Sequence, residues 1–286
     1  MIKIKAIFIS LFIGAAFSGC SCSVSKTQGS DASNPTGSDT LKVQNDGQNR
    51  DCLYQVSTLQ ALTASYYYGV TTIGDFLKHG DIALGTFEGV NGEMIVLDGV
   101  CYQALADGTI AVPDTAMTIP FAAITWFDSD YKKEMTTESD FNALKAELDK
   151  MVAESGANTF YAGKITGDFS EMSVRSIAKQ HEPYRTLDAA MTADQVVFNY
   201  KDVKGTLIAL YCPPYTAGVN AVGWHLHFLS EDKKKGGHVL GLKMQKGTIT
   251  LDRTDYFNMT LPADAYFNKL NLTNQEDAIG KVEQGK

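Results

Sequence analysis

The sequence predicts a strand-dominated α+β fold, and three observations predict it. Short apolar runs with a period of two recur along most of the chain, each broken by Gly, Asn or Asp. Only a few stretches carry the 3.6-residue period of an amphipathic helix. The spacers between the period-two runs are short, which favours antiparallel neighbours over crossover connections.

Taken in order, residues 57–69 read as a helix. Ser57 can cap it, and Leu59, Ala61 and Leu62 supply an apolar face. A short helical turn is expected over 73–78. The period then changes to two, giving strands at 82–87, 93–98, 102–106 and 109–112. Residues 138–155 form the clearest helix, with Phe141, Leu144, Leu148 and Met151 on one stripe. Strands resume at 159–166, 171–177, 196–200, 206–211, 224–229, 238–245 and 248–254. A last helix is expected near 261–270, before a polar tail. No internal repeat is present.

The N-terminus reads as an export signal. Lys3 and Lys5 precede a thirteen-residue apolar stretch, 6–18, that is too short to span a bilayer. It runs into Phe17-Ser18-Gly19-Cys20, which resembles a bacterial lipobox, although Phe17 is unusual at its position. Residues 1–22 are therefore expected to be a lipoprotein-type signal, with an ordinary secretory signal as the alternative. The protein would then face the periplasm or the cell exterior. Residues 23–50 are almost devoid of apolar side chains and read as a polar linker. Residues 51–286 are long enough to bury a substantial core. The net charge is −8 over all 286 residues, and −10 without residues 1–19. That balance excludes a basic nucleic-acid footprint. Cys22, Cys52, Cys101 and Cys212 lack zinc-knuckle spacing, and no disulfide pair can be read from them.

The densest chemistry lies in 223–238, which holds three of the five histidines. On a strand His225 and His227 share one face, while Trp224, Leu226 and Phe228 take the other. A charged run ending in Gly236-Gly237 reads as a hairpin loop, and the strand starting at His238 would bring a third imidazole to the same face. Three imidazoles with one open position form a ligand set for a catalytic zinc or a similar divalent ion. There is no Gly-x-Ser-x-Gly nucleophile motif and no phosphate-cradling glycine loop.

Two charged residues fall on apolar strand faces. Glu93 projects with Ile95 and Leu97, just after the turn signal Asn91-Gly92. It is either a carboxylate with a task or the solvated first residue of its strand. Arg175 shares a face with Ile177. It is either a grip for a carboxylate or an exposed arginine on the outside of a sheet.

With these residues in view, the chain resembles the alpha-acetolactate decarboxylase family over most of 53–284. The likeness runs through 77–87, 91–99, Val174-Arg175-Ser176 and Cys212-Pro213-Pro214-Tyr215, and is densest in 223–232 and Gly236-Gly237-His238. The resemblance implies two tightly packed β-rich halves with a few helices, commonly assembled as a homodimer. It implies zinc held by His225, His227 and His238, with Glu93, Arg175 and a C-terminal glutamate at the site. Glu283 is the best match for that glutamate and Glu276 the fallback. Thr86 would line the pocket. The implied reaction converts a small 2-hydroxy-3-oxo acid, acetolactate, to acetoin and carbon dioxide.

Ser173 stands where the family often has a second basic residue. Two other readings remain open. His225-x-His227-x3-Glu231 also resembles part of a cupin motif, and a non-catalytic surface lipoprotein could use the histidines to capture zinc.

Overall fold

A computed structural model describes residues 49–273. The expected signal (1–22), nearly all of the linker (23–50), Glu276 and Glu283 lie outside the described residues. The described chain is strand-dominated and mostly antiparallel, as its patterning requires.

The first half is built on a seven-stranded sheet with a separate two-stranded pair beside it in the chain. Its elements begin with β1 (Cys52–Val56), α1 (Leu59–Thr63), β2 (Thr71–Thr72), α2 (Ile73–Phe76) and β3 (Ile82–Thr86). There follow β4 (Glu93–Leu97), β5 (Val100–Ala104), β6 (Ile110–Ala111), β7 (Thr118–Ile119) and β8 (Phe121–Thr125). The alternation read in β4 is real: Met94 and Val96 enter one core, while Ile95 and Leu97 face the second half. The helix expected over 57–69 is only one turn long. Thr58, not Ser57, caps it by accepting from the Ala61 amide at 3.2 Å. Ser65 then adopts φ 73°, a left-handed conformation that stops the helix.

The second half begins with β9 (Tyr131–Met135), β10 (Ser139–Asp140) and α3 (Phe141–Ser155). Asp140 caps α3 by accepting from the Ala143 amide at 2.8 Å. Then come β11 (Phe160–Ile177), α4 (Leu187–Asp194), β12 (Gln195–Cys212), β13 (Gly223–Ser230) and β14 (Gly236–Thr254). Leu144, Leu148 and Val152 of α3 pack on Tyr161, Ile165, Trp224, Leu226 and Phe228.

Three pairs of expected strands are single long ones. The apparent breaks fall on Gly167, Gly205 and Gly247, which lie side by side across β12, β11 and β14. A Cβ on Gly167 would sit 2.5 Å from the Lys246 carbonyl, and one on Gly205 2.4 Å from that of Leu229. These glycines let backbones approach within a continuing sheet; they do not end it. β13 pairs with β12 along one edge and with the start of β14 along the other, so β11 to β14 close into a ring at that end.

The expected helix over 261–270 is only a 3₁₀ turn, Phe267–Lys269. Before it, β15 (Tyr256–Thr260) returns to the first sheet and pairs in parallel with β1. The two sheets face each other through Ile82, Ile95 and Leu97 against Ala162, Ile208 and Leu229.

Candidate active site

β13 turns Trp224, Leu226 and Phe228 toward α3, and therefore turns His225 and His227 toward the first sheet. The charged run 231–235 makes the turn, and both glycines after it already belong to β14. His238 pairs with His227 on one side and with Arg175 on the other. Gly237 permits that closeness. Its φ is 145°, and a Cβ there would lie 2.5 Å from the Arg175 carbonyl.

The three imidazoles converge. His225 Nε2 lies 3.1 Å from His227 Nε2 and 3.0 Å from His238 Nδ1. All three rings are buried. A tetrahedral zinc with Zn–N of 2.0–2.1 Å needs ligand nitrogens about 3.3–3.4 Å apart, close to what is found. His225 Nε2 faces two ring nitrogens at once, and one N–H can serve only one of them; a shared cation satisfies all three. The other nitrogen of His227, Nδ1, lies 2.7 Å from the Met94 carbonyl oxygen. Donating there fixes the tautomer that leaves Nε2 free for a metal. Burial, reinforced by the Arg175 guanidinium, pushes His225 down to about 3. Burial, with His225 and Arg175 adding to it, holds His227 well below the ordinary imidazole range. Both rings are thus neutral at physiological pH, the form that binds metal. The donor set and spacing fit a zinc-type ion.

Glu93, at the start of β4, is 9% exposed, so it is not a solvated strand end. Its Oε2 lies 3.6 Å from His227 Nε2. Arg175 is 3% exposed, which removes the outer-face alternative, and its Nε has no hydrogen-bond partner among the described residues. A buried guanidinium nitrogen left open in this way is prepared for an incoming acceptor. Thr86 pairs directly with Glu93 across β3 and β4, and its hydroxyl donates to the Gly92 carbonyl at 2.7 Å. Glu231 of the partial cupin motif is exposed in the turn, away from the histidines.

Thr86, Glu93, Arg175, His225 and His238 all line a single pocket of about 460 Å³ including its mouth. Strand patterning put His225 and His238 on one face and marked Glu93 and Arg175 as anomalies, while the family resemblance alone supplied Thr86 and grouped the five. Sequence reading missed the apolar remainder of the lining, where Leu59, Leu62, Phe121, Ile177, Leu187 and Met191 belong to one packed hydrocarbon cluster. Leu59 and Leu62 were visible as an apolar helix face, but nothing marked that face as a pocket wall. The helix carrying Leu187 and Met191 was not foreseen at all.

An α+β fold of two facing sheets, with a buried tri-histidine group opening on a mostly apolar pocket, defines an enzyme that acts on a small molecule at a site able to hold a metal. A family model for alpha-acetolactate decarboxylase matches residues 53–274, and the chain belongs to that family of carboxy-lyases. It is 42% identical over 236 residues to the alpha-acetolactate decarboxylase of Methanosarcina mazei, covering 82% of this chain and 81% of that protein. The Klebsiella aerogenes alpha-acetolactate decarboxylase is 34% identical over 233 residues, covering 81% and 88% respectively. The crystal structure of alpha-acetolactate decarboxylase from Bacillus subtilis strain 168 superposes with a TM-score of 0.79 at 30% identity, covering 82% of this chain and all of that one.

Proposed function

We propose that the protein decarboxylates 2-acetolactate to acetoin and CO2, with zinc held by His225, His227 and His238. The single observation that carries the reading is the convergence of three buried imidazoles at a pocket that also presents Arg175 and Glu93. A zinc in this position would act as a Lewis acid on the substrate's hydroxyl and ketone oxygens, worth several kcal/mol of charge stabilisation.

The chain's own residues supply the rest. Arg175 receives the substrate carboxylate, and the open Nε gives it a directed donor. The C1–C2 bond then breaks, CO2 leaves, and the bonding electrons delocalise toward the neighbouring ketone oxygen to give an enediolate. A carboxylic acid returns one proton to carbon, which yields acetoin. Glu93 and Glu283 are the two donors in view. Glu93 stands beside the imidazoles, whereas Glu283 rests on family resemblance alone. The hydrocarbon wall shields the enediolate from stray protonation by water.

The test uses the purified full chain in detergent with racemic acetolactate, measuring acetoin above the spontaneous rate. Activity should vanish with a chelator and return with added zinc. Folded, zinc-loaded protein that forms no acetoin would overturn the reading and favour metal capture by a non-catalytic scaffold.

We further propose that the chain is exported and lipid-modified at Cys20, from the positive, apolar and lipobox-like order of residues 1–20. Mass spectrometry of the N-terminal peptide should find a diacylated Cys20; an unmodified mature N-terminus would rule it out. The homodimer implied by the family is likewise proposed, with the exposed Val196 and Val197 of β12 as part of its surface.

A further inference from the structure

Two sets of lining residues divide the work of recognition. The groups that can pair with oxygen (Thr86, Glu93, Arg175, His225 and His238) adjoin an apolar cluster whose lining members offer no polar side chain. A carboxylate, hydroxyl or ketone turned into that cluster would lose its hydrogen bonds with nothing in exchange. A bound 2-hydroxy-3-oxo acid must therefore present its alkyl substituents to the hydrocarbon wall. That wall is one packed cluster, in which Leu59 and Leu62 of α1 meet Leu187, Ala190 and Met191 of α4.

Leu187 and Met191 are four residues apart on α4, so they share a face. Both are nearly buried yet line the pocket. The helix is also pinned. Arg185, just before it, pairs with Asp194 at its end, and both are bonded to Gln180, at 2.6 and 3.0 Å respectively. The Tyr67 hydroxyl donates to the Arg185 carbonyl at 2.9 Å. With both ends held, α4 resists swinging outward for a longer substituent. Such a substituent has to displace the side chains themselves. Leu187 is stiff, whereas Met191 is unbranched and can adapt to a modest change.

We propose that Leu187 and Met191 determine specificity, setting the largest alkyl group the enzyme accepts on its 2-hydroxy-3-oxo acid. This rests on the decarboxylase reading given above. One methylene in an apolar pocket changes discrimination by about 10-fold to 200-fold, so an altered wall has a measurable signature.

The experiment compares kcat/KM for the 2-methyl, 2-ethyl and 2-propyl acids, using the full chain and the variants Met191→Ala, Leu187→Ala and Met191→Phe. Met191→Ala and Leu187→Ala should raise the propyl-to-methyl ratio about tenfold or more. Met191→Phe should lower the ethyl-to-methyl ratio by a similar factor. Each ratio is internal to one preparation, so a reduced folded fraction does not alter it, and Met191→Phe tests the wall without opening a cavity. Ratios that stay within twofold of the unaltered protein's in all three variants, with methyl turnover intact, would overturn this assignment alone. An unaltered protein inactive on every acid would remove the decarboxylase reading and the assignment with it.

Discussion

At the scale of single residues, the site depends on where charge is buried and what faces it. Glu93 sits within 3.6 Å of an imidazole nitrogen aimed at the common centre, on a strand otherwise filled by Met94, Ile95, Val96 and Leu97. Replacing Glu93 with Gln keeps the size and removes only the acid. Metal content should be unchanged, while kcat falls by on the order of 10²–10⁴ if this carboxyl delivers the proton. Metal analysis alongside turnover checks both halves of that expectation. Retained turnover would move the proton to another donor.

At the scale of elements, what could be read from the chain followed its periodicity. The face of β13 was legible because alternation is rigid: once Trp224, Leu226 and Phe228 are assigned to the core, His225 and His227 have only one side left. Glu93 and Arg175 were legible as anomalies on apolar faces, but their burial was not, because alternation does not say what covers a sheet. The glycines at 167, 205 and 247 were misread as strand ends, since a glycine that permits close approach looks in sequence like one that makes a turn. β1, β8, β9 and β15 went unread, as did the two-residue β2, β7 and β10. In β8 the run Phe121-Ala122-Ala123-Ile124 is apolar throughout and has no alternation to detect. α4 was missed because eight residues with three buried positions carry too little periodic signal. Two of the six wall residues, Leu187 and Met191, were hidden with it.

At the scale of the whole molecule, the packing of one half on the other leaves a titratable group between them. Asp252 of β14 is 1% exposed, and neither carboxylate oxygen meets hydrogen-bond geometry with a partner among the described residues. Burial pushes it up to about 9, with Asp130, Asp128 and Asp51 adding to the rise and the Asp128 backbone amide opposing it. Below about pH 4 the folded and unfolded chains both hold this proton. As pH climbs toward about 9, the unfolded chain releases it and the folded chain keeps it, so stability falls by about 1.4 kcal/mol per pH unit from this group. Asp252→Asn should therefore melt higher at neutral pH, with a gain that grows from about pH 5 to about pH 8. Thermal melts across that range give the answer. A pH-independent gap, or a loss of stability, would mean that Asp252 is charged and partnered in solution.

The parallel pairing of β1 with β15 has a consequence for how the molecule can be held. β1 starts at Cys52 and, one short strand later, delivers the chain into α1 at the pocket wall. At about 3.3 Å per residue its far end lies on the order of 15 Å from that wall. Because β15 runs the same way, the chain leaves it at Thr260, whose carbonyl accepts from the Ser57 amide beside α1. β1 therefore begins at the end of this edge remote from α1, while the residues after Thr260 begin beside α1. A linker joined before Cys52 meets the fold on the order of 15 Å from the α1 residues of the pocket wall, whereas one joined after Thr260 meets it next to them.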